Sequence, residues 1–242
     1  KAPKISDRLL PQDMATIATN TRLDSGRLDP WKANASASIT TALGTISGAT
    51  KTLFKHNNSI WIASNEDINI ARSPIAEDPH ERLYVSGIGG ASGYPRMTTA
   101  AIVGNNTFYR LGIPVPGSFD AVTVTGTTSV SGTETPQARS YIFTYVSAFG
   151  EEGAPNTALI SQVVDVFSDQ SVTVDFPANP SGNFNLAFKR LYRTDTDGIF
   201  RFVATIPLAS DTFNDTVAEA NLGEEIPTSS FVGPPDDDST EH

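Results

Sequence analysis

Residues 188–206 constrain the fold more than any other stretch of the chain. They have the pattern of two strands around a tight turn, with Phe188, Arg190 and Tyr192 at alternate positions. Asp197-Gly198 lies between the strands, and glycine supplies the positive φ that a hairpin turn requires. The sequence therefore predicts a β-hairpin that places Phe188, Arg190 and Tyr192 on one face and Leu191 on the other.

A second aromatic run, SYIFTYVSAF from Ser140 to Phe149, precedes this hairpin. Tyr141, Phe143 and Tyr145 alternate with smaller residues, so we expect one set to fill a core. Short runs with strand character recur across residues 118–228 without a helical pattern. This spacing predicts an immunoglobulin-like or fibronectin-type β-sandwich. The expected strands are Ala121–Thr125, Arg139–Ala148, Ala158–Val166, Ser171–Phe176, Phe188–Thr194, Phe200–Ile206 and a last one near Thr212–Asp215.

Residues 41–117 have the pattern of a small β unit. Two short runs flank Asn57-Asn58, which predicts a hairpin, and residues 111–117 (LGIPVPG) predict a linker between domains, because proline keeps the chain extended. The expected strands are Lys51–His56, Ser59–Ala63, Asp67–Arg72 and Arg82–Gly87, with Met97–Val103 as a short strand or helix.

Residues 1–40 sustain neither a helical nor a strand period, and we interpret them as an extended N-terminal arm. One interpretation is that the arm docks on a neighbouring subunit; the other is that it packs on its own domain. The candidate intersubunit anchors are the apolar residues Leu9, Leu10, Leu23, Leu28 and Trp31. Residues 229–242 contain Asp236-Asp237-Asp238 and are interpreted as an acidic tail.

Composition narrows the possible functions. The formal net charge of −10 disfavours non-specific nucleic-acid binding, which needs clustered Lys and Arg. The chain has no Cys, so disulfides and thiolate metal sites are excluded. It also lacks an apolar run of about 18 residues, so we expect no membrane insertion.

Chemical motifs are weak, and the sequence predicts no catalytic residue, no cofactor and no metal site. The histidines His56, His80 and His242 lack zinc-site spacing, and we expect His80 to lie in a solvated turn. Asp195–Gly198 resembles the start of a calcium loop, but the closing Glu is missing and a hairpin turn is the better interpretation. The adjacent Glu151 and Glu152 are expected to point to opposite faces.

Several segments together resemble virion structural proteins of tailed bacteriophages. They include the arm segment from Asn20 to Trp31, the stretch from Trp61 to Tyr84, and Tyr94–Met97. The resemblance continues through Tyr109–Pro116, Tyr141–Pro155, Arg190–Thr194 and Phe213–Asp215, and it covers most of residues 20–235.

This resemblance implies a tail, neck or nozzle-associated component located in the virion, without enzymatic activity. Its function would be structural assembly, forming or joining a ring at the tail, neck/connector or fibre base. Its partners would be other virion proteins and copies of itself, with no specific nucleic-acid binding.

The alternative is a surface or secreted carbohydrate- or protein-binding β module. In that case exposed aromatic side chains would stack on sugar rings, and the candidates are Trp61, Tyr84 and Tyr94. Ordinary core packing of the same three rings is the competing interpretation.

Overall fold

The computed structural model describes residues 21–22, 29–30, 41–43, 49–56, 60–89, 93–127, 132–159 and 162–227. The chain divides into two compact units, Lys1–Ser38 and Ile39–His242. In the first unit, β1 (Thr21–Arg22) pairs antiparallel with β2 (Asp29–Pro30). The candidate anchors Leu9, Leu10, Leu23, Leu28 and Trp31 lie outside the described residues.

The second unit begins with two small sheets. In the first sheet the strand order is β3-β5-β4, with β3 parallel and β4 antiparallel to the central strand. The second sheet is antiparallel throughout, with order β6-β7-β8-β9. Their bounds are β3 Thr41–Leu43, β4 Thr52–Lys55, β5 Trp61–Ser64, β6 Asn69–Arg72, β7 Arg82–Ser86, β8 Arg96–Thr99 and β9 Tyr109–Arg110.

The predicted hairpin of residues 51–63 is confirmed by the β4–β5 pairing, although the Asn57-Asn58 turn lies outside the described residues. The strand β3 was not predicted. The region 97–103 begins as a strand, and a 3-10 helix follows at Val103–Asn105. A small core of Ile62, Leu83 and Val103 joins these elements.

The rest of the second unit is a sandwich of two three-stranded antiparallel sheets with an additional two-stranded ribbon. One sheet has the order β10-β14-β17, the other has the order β12-β15-β16, and β11 pairs with β13. The bounds are β10 Ala121–Thr125, β11 Gln137–Arg139, β12 Tyr141–Ser147, β13 Val164–Val166, β14 Ser171–Asp175, β15 Leu186–Thr194, β16 Phe200–Pro207 and β17 Thr212–Asp215. A 3-10 helix follows at Glu219–Asn221.

The two three-stranded sheets enclose one apolar core. Phe143 and Tyr145 from β12 pack with Val172 and Val174 from β14 and Leu191 from β15. The rings of Phe119, Phe143 and Phe176 lie within 5.0 to 5.7 Å of one another, a spacing at which aromatic pairs attract. The mainly-β, sandwich-type fold predicted from the sequence is confirmed.

Two of the predicted strands are longer than the strands that the structure describes. The run Arg139–Ala148 is two strands, β11 and β12, separated at Ser140, whose backbone N–H donates to the Thr194 hydroxyl. Among the described residues of the run Ala158–Val166, the strand is Val164–Val166, and the Gln162 N–H donates to the Leu159 carbonyl at 3.0 Å. Ser140 thus bonds to the neighbouring strand β15, whereas the bond between Gln162 and Leu159 is a local turn.

Candidate functional site

The acidic pair Glu151-Glu152 lies where the sandwich meets the β6-β7-β8-β9 sheet. It follows the turn after β12, where Gly150 has a φ of +81° and its N–H donates to the Ser147 carbonyl. The chain then folds back along β12, because the Ser147 N–H donates to the Glu151 carbonyl at 2.9 Å. Neighbouring side chains of an extended segment diverge, so the two carboxylates meet different partners, as predicted.

Glu151 connects the sandwich to the small sheet through Arg82 of β7. The Arg82 guanidinium is bonded to the Glu151 carboxylate through Nη1, while its Nε donates to Asp78 Oδ2 at 2.7 Å. The Asp78 side chain is 5% exposed, so its ion pair with Arg82 is shielded from solvent, whereas the Glu151 side chain is 41% exposed. The hydrogen bond from Arg82 holds the pKa of the Asp78 carboxyl far below its ordinary value.

Glu152 lies on the outer face of the β12-β15-β16 sheet and receives three hydrogen bonds. Thr144 Oγ1, Tyr192 Oη and Arg190 Nη1 each donate to its carboxylate at 2.6 Å. The register places Thr144 directly opposite Arg190, so the three donors come from adjacent strands. Burial, followed by the hydrogen bond to Glu152, raises the pKa of the Tyr192 hydroxyl.

Aromatic and close-packed contacts complete this junction between residues 41–117 and the sandwich. The Phe149 ring lies 4.3 Å from the His80 ring and 6.1 Å from that of Tyr109. A Cβ built on Gly153 would lie 2.7 Å from Ile113 Cγ2, so only glycine fits there. A cleft of about 350 Å³ opens beside the junction, lined by Tyr84, Met97, Arg110, Leu111, Gly112, Ile113, Glu151, Glu152 and Phe184.

A separate group of charges lies inside the sandwich. Lys189, Leu191 and Arg193 alternate along the inner face of β15, and each is 0% exposed. Arg193 Nη1 donates to Asp215 Oδ2 at 2.5 Å, and the Tyr141 hydroxyl donates to the same oxygen at 2.8 Å. Burial, followed by the nearby Asp215 charge, raises the pKa of Tyr141.

Lys189 is satisfied by backbone carbonyls. Its Nζ donates to the carbonyls of Leu208 at 3.0 Å and Ser210 at 2.8 Å, and it lies 4.7 Å from the Phe176 ring centroid. Burial lowers the pKa of this amine. The buried cations therefore fix the β16–β17 connection and β17 onto the core face of β15.

The residues proposed as sugar-stacking candidates have different surroundings. Lys55 Nζ lies 5.5 Å from the Trp61 ring, and the guanidinium carbons of Arg96 and Arg110 lie 4.6 and 4.4 Å from the Tyr94 ring. These distances are typical of cation–π contacts. Tyr84 lines the cleft at the junction.

The predicted turns have structural roles. Asp195 Oδ1 accepts hydrogen bonds from the N–H groups of Asp197 and Ile199, and its Oδ2 accepts one from Arg201 Nε. The Asp195–Gly198 segment is thus the hairpin turn between β15 and β16, as predicted, and Gly198 has a φ of +79°. His80 lies in a turn, as expected, but it is half-buried because its ring packs on Phe149.

Sequence reasoning missed the partners of Glu151 and Glu152. The signal available in the sequence is a short shared pattern, Arg-Leu-Tyr, at Arg82–Tyr84 and again at Arg190–Tyr192. Each of the two strands places an Arg beside one carboxylate of the pair: Arg82 beside Glu151, and Arg190 beside Glu152.

Across the described ranges, no group of three or more His, Asp or Glu side chains is arranged to hold a metal ion. None of the described helices has the length and apolar character needed to cross a membrane. No protein-family model matches the chain, and no curated protein matches it either.

Proposed function

We propose that the chain is a structural protein of a tailed-phage virion, without enzymatic activity, that forms or joins a ring at the tail, neck/connector or fibre base. Its partners are other virion proteins and further copies of itself. The proposal starts from the resemblance to such proteins, which covers most of residues 20–235.

The junction at Glu151 and Glu152 is the observation that carries the proposal. The ionisable side chains there, which are the candidates for acid–base chemistry, are bonded to one another. Glu151 is bonded to Arg82, and Glu152 is bonded to Arg190 and Tyr192. A general acid or base must be free to reach a substrate. Glu151 instead joins the small sheet to the sandwich, and Glu152 joins β12 to β15 within the sandwich, which suits a part that transmits force or holds a fixed shape.

The surface chemistry is compatible with assembly. Large apolar side chains are exposed at several places on the second unit, and apolar surface of this kind drives protein association when it is contiguous. They are Leu53, Ile75, Val115, Leu159, Val163 and Phe188. The acidic balance of −10 would repel DNA from any lumen that displays it.

Quantitative mass spectrometry of purified particles of the phage that encodes the chain tests this function. We expect the chain at a fixed copy number relative to the other tail and neck proteins. Absence of the chain from washed particles would contradict the proposal. Glycan-array binding by the isolated protein, with quenching of Trp fluorescence, would then favour the carbohydrate-binding alternative.

A further inference from the structure

Exposed positive charge is concentrated at one place in the second unit. Within the described ranges between residues 49 and 227, Lys51, Lys55 and Arg72 are exposed, and the remaining Lys and Arg residues are buried or half-buried. Lys51 directly precedes β4, Lys55 ends β4, and Arg72 ends β6. The Arg72 guanidinium donates to the carbonyls of Lys55 and His56 at 2.6 and 2.5 Å, so a third cation lies at the end of β4.

An exposed leucine lies between the two lysines. Lys51, Leu53 and Lys55 occupy alternate positions, which places them on one face of the strand, and Leu53 is 58% exposed. Phe54 points to the other face, where it packs against the small core. The outward face of β4 thus offers an apolar side chain flanked by cations. We call Lys51, Leu53, Lys55 and Arg72 the basic stripe.

Among the described residues, the three cations of the basic stripe have no carboxylate partner, whereas four arginines elsewhere form ion pairs. Two carboxylates on adjacent segments are directed to other groups. Glu66 Oε2 accepts a hydrogen bond from the Gly89 N–H at 3.1 Å, and Glu81 Oε2 lies 3.8 Å from His56 Nε2. The charge of the stripe is therefore available to an acidic partner.

The chain itself contains a segment with the complementary chemistry. Residues 228–242 follow the described part of the chain, and they contain Phe231-Val232 and then Asp236-Asp237-Asp238 and Glu241. Copies with a net charge of −10 repel one another, so a contact between copies needs local complementary charges. Nucleic acid would match the cations of the stripe but not its exposed leucine, and the acidic balance of the chain opposes it.

We propose that the basic stripe binds the acidic segment, residues 228–242, of a second copy of the chain. The carboxylates of Asp236–Asp238 pair with the cations of the stripe, and Phe231-Val232 packs on Leu53. Each copy then presents a different surface to each of its two neighbours, and such a heterologous contact can repeat until a ring closes. The inference rests on the proposed function, because it names the contact by which copies of the chain would join.

Sedimentation velocity of the full chain tests the proposal. We expect self-association that weakens when NaCl is raised from about 0.1 to about 1 M, because the Debye length shortens from about 10 to about 3 Å. The double variant Lys51→Gln with Lys55→Gln should weaken the association about fivefold, the effect of losing two surface ion pairs. Leu53→Ser should weaken it about fivefold without any change of charge.

A variant of the acidic segment separates this contact from general repulsion. Replacement of Asp236, Asp237 and Asp238 by Asn lowers the net negative charge of each copy, which by itself would favour association. We nevertheless expect association to weaken about fivefold or more, because the partners of the stripe are lost. The matched control makes the same change of charge at exposed positions elsewhere and should not weaken association. It combines Asp120→Asn, Asp165→Asn and Asp211→Asn.

An equimolar mixture of the lysine variant and the Asp236–Asp238 variant should associate more tightly than either variant alone, because each mixed pair has one intact stripe and one intact acidic segment. A chain that stays monomeric, equal association by all variants, or a mixture no tighter than its components would overturn the inference.

None of these results bears on the virion proposal, since that proposal is tested on particles. Conversely, a chain that self-associates through the stripe but is absent from particles would keep this contact and lose the virion function.

Discussion

The carboxylate of Glu152 illustrates how single residues hold this protein together. It accepts hydrogen bonds from a hydroxyl on β12 and from two side chains on β15, and only 14% of its side chain is exposed. Hydrogen bonds to a charged, shielded acceptor are stronger than neutral ones. Loss of the charge should therefore weaken several contacts at once.

Glu152→Gln should lower the free energy of unfolding by about 1.5–3 kcal/mol, the range for hydrogen bonds to charged groups. Glu224→Gln changes an exposed glutamate and serves as the matched control. Urea denaturation followed by Trp fluorescence measures both. Equal midpoints for the two variants would show that the Glu152 network contributes nothing to stability.

Loss of the Arg193–Asp215 ion pair should lower the free energy of unfolding more than loss of the Glu152 charge, because both side chains are 0% exposed. Asp215→Asn leaves the Arg193 charge buried without a carboxylate, which costs about 3–5 kcal/mol in comparable cases. Asp197→Asn in the exposed β15–β16 turn is the control. A loss of less than 1 kcal/mol relative to that control, on the order of a surface pair, would contradict the assignment.

Acid should destabilise the junction through Asp78. Its carboxyl pKa is lowered from 3.8, chiefly by the hydrogen bond from Arg82. A carboxyl with a lower pKa in the folded chain stabilises the fold above its unfolded pKa, and that contribution is lost as pH falls. Stability should therefore decline below about pH 4.

The comparison of urea midpoints at pH 7 and pH 3 measures this decline. Asp78→Asn should shrink the difference between the two pH values, whereas Asp120→Asn, at an exposed position, should leave it unchanged. The difference between pH 7 and pH 3 that remains in Asp78→Asn is assigned to other carboxyls with lowered pKa, namely Asp195 and Glu219. The same midpoint difference in Asp78→Asn as in the unchanged chain would show that Asp78 does not control acid stability.

At the scale of elements, alternation of residue types was a dependable guide within strands. β10 and β17 occupy their predicted residues, and Tyr141, Phe143 and Tyr145 enter the core as expected. Both results follow from the period of two in a pleated strand, which is a local property.

Contacts between distant residues explain what the sequence did not reveal. The predicted face alternation in β15 is correct, since Leu191 is 0% exposed and Phe188 is 42% exposed. The burial of Lys189 and Arg193 beside Leu191 was not predictable, because their partners are carbonyls and a carboxylate some twenty residues further along the chain. Likewise, β3 is three residues long and becomes visible only through its parallel pairing with β5.

Substitution of Gly153 tests its close packing against Ile113. Gly153→Ala places a methyl group 2.7 Å from Ile113 Cγ2, so one of the two segments must move. We expect a loss of about 1–3 kcal/mol, as for other overpacked sites. Gly132→Ala, with nothing within 4 Å, is the control.

The double variant Gly153→Ala with Ile113→Ala should recover part of that loss, because the smaller side chain makes room for the added methyl group. Thermal and urea unfolding of the four proteins gives the coupling between the two sites. Additive losses would mean that the close approach is not what requires glycine at position 153.

At the scale of the whole molecule, the described part of the chain combines a small β region and a sandwich. Arg82 of the small β region contacts Glu151 and the Phe149 ring of the sandwich, and these contacts join the two parts. The domain boundaries 1–40, 41–117, 118–228 and 229–242 remain predictions, as do the intersubunit anchors. The charge pairing across the junction favours a fixed arrangement of these two parts.

A cryo-electron microscopy reconstruction of the phage particle tests the assembly proposal most directly. We expect density for this chain in a ring at the tail, neck or fibre base, with residues 1–40 of each copy lying on a neighbour. A reconstruction in which every tail and neck protein is traced and this chain is absent would contradict it.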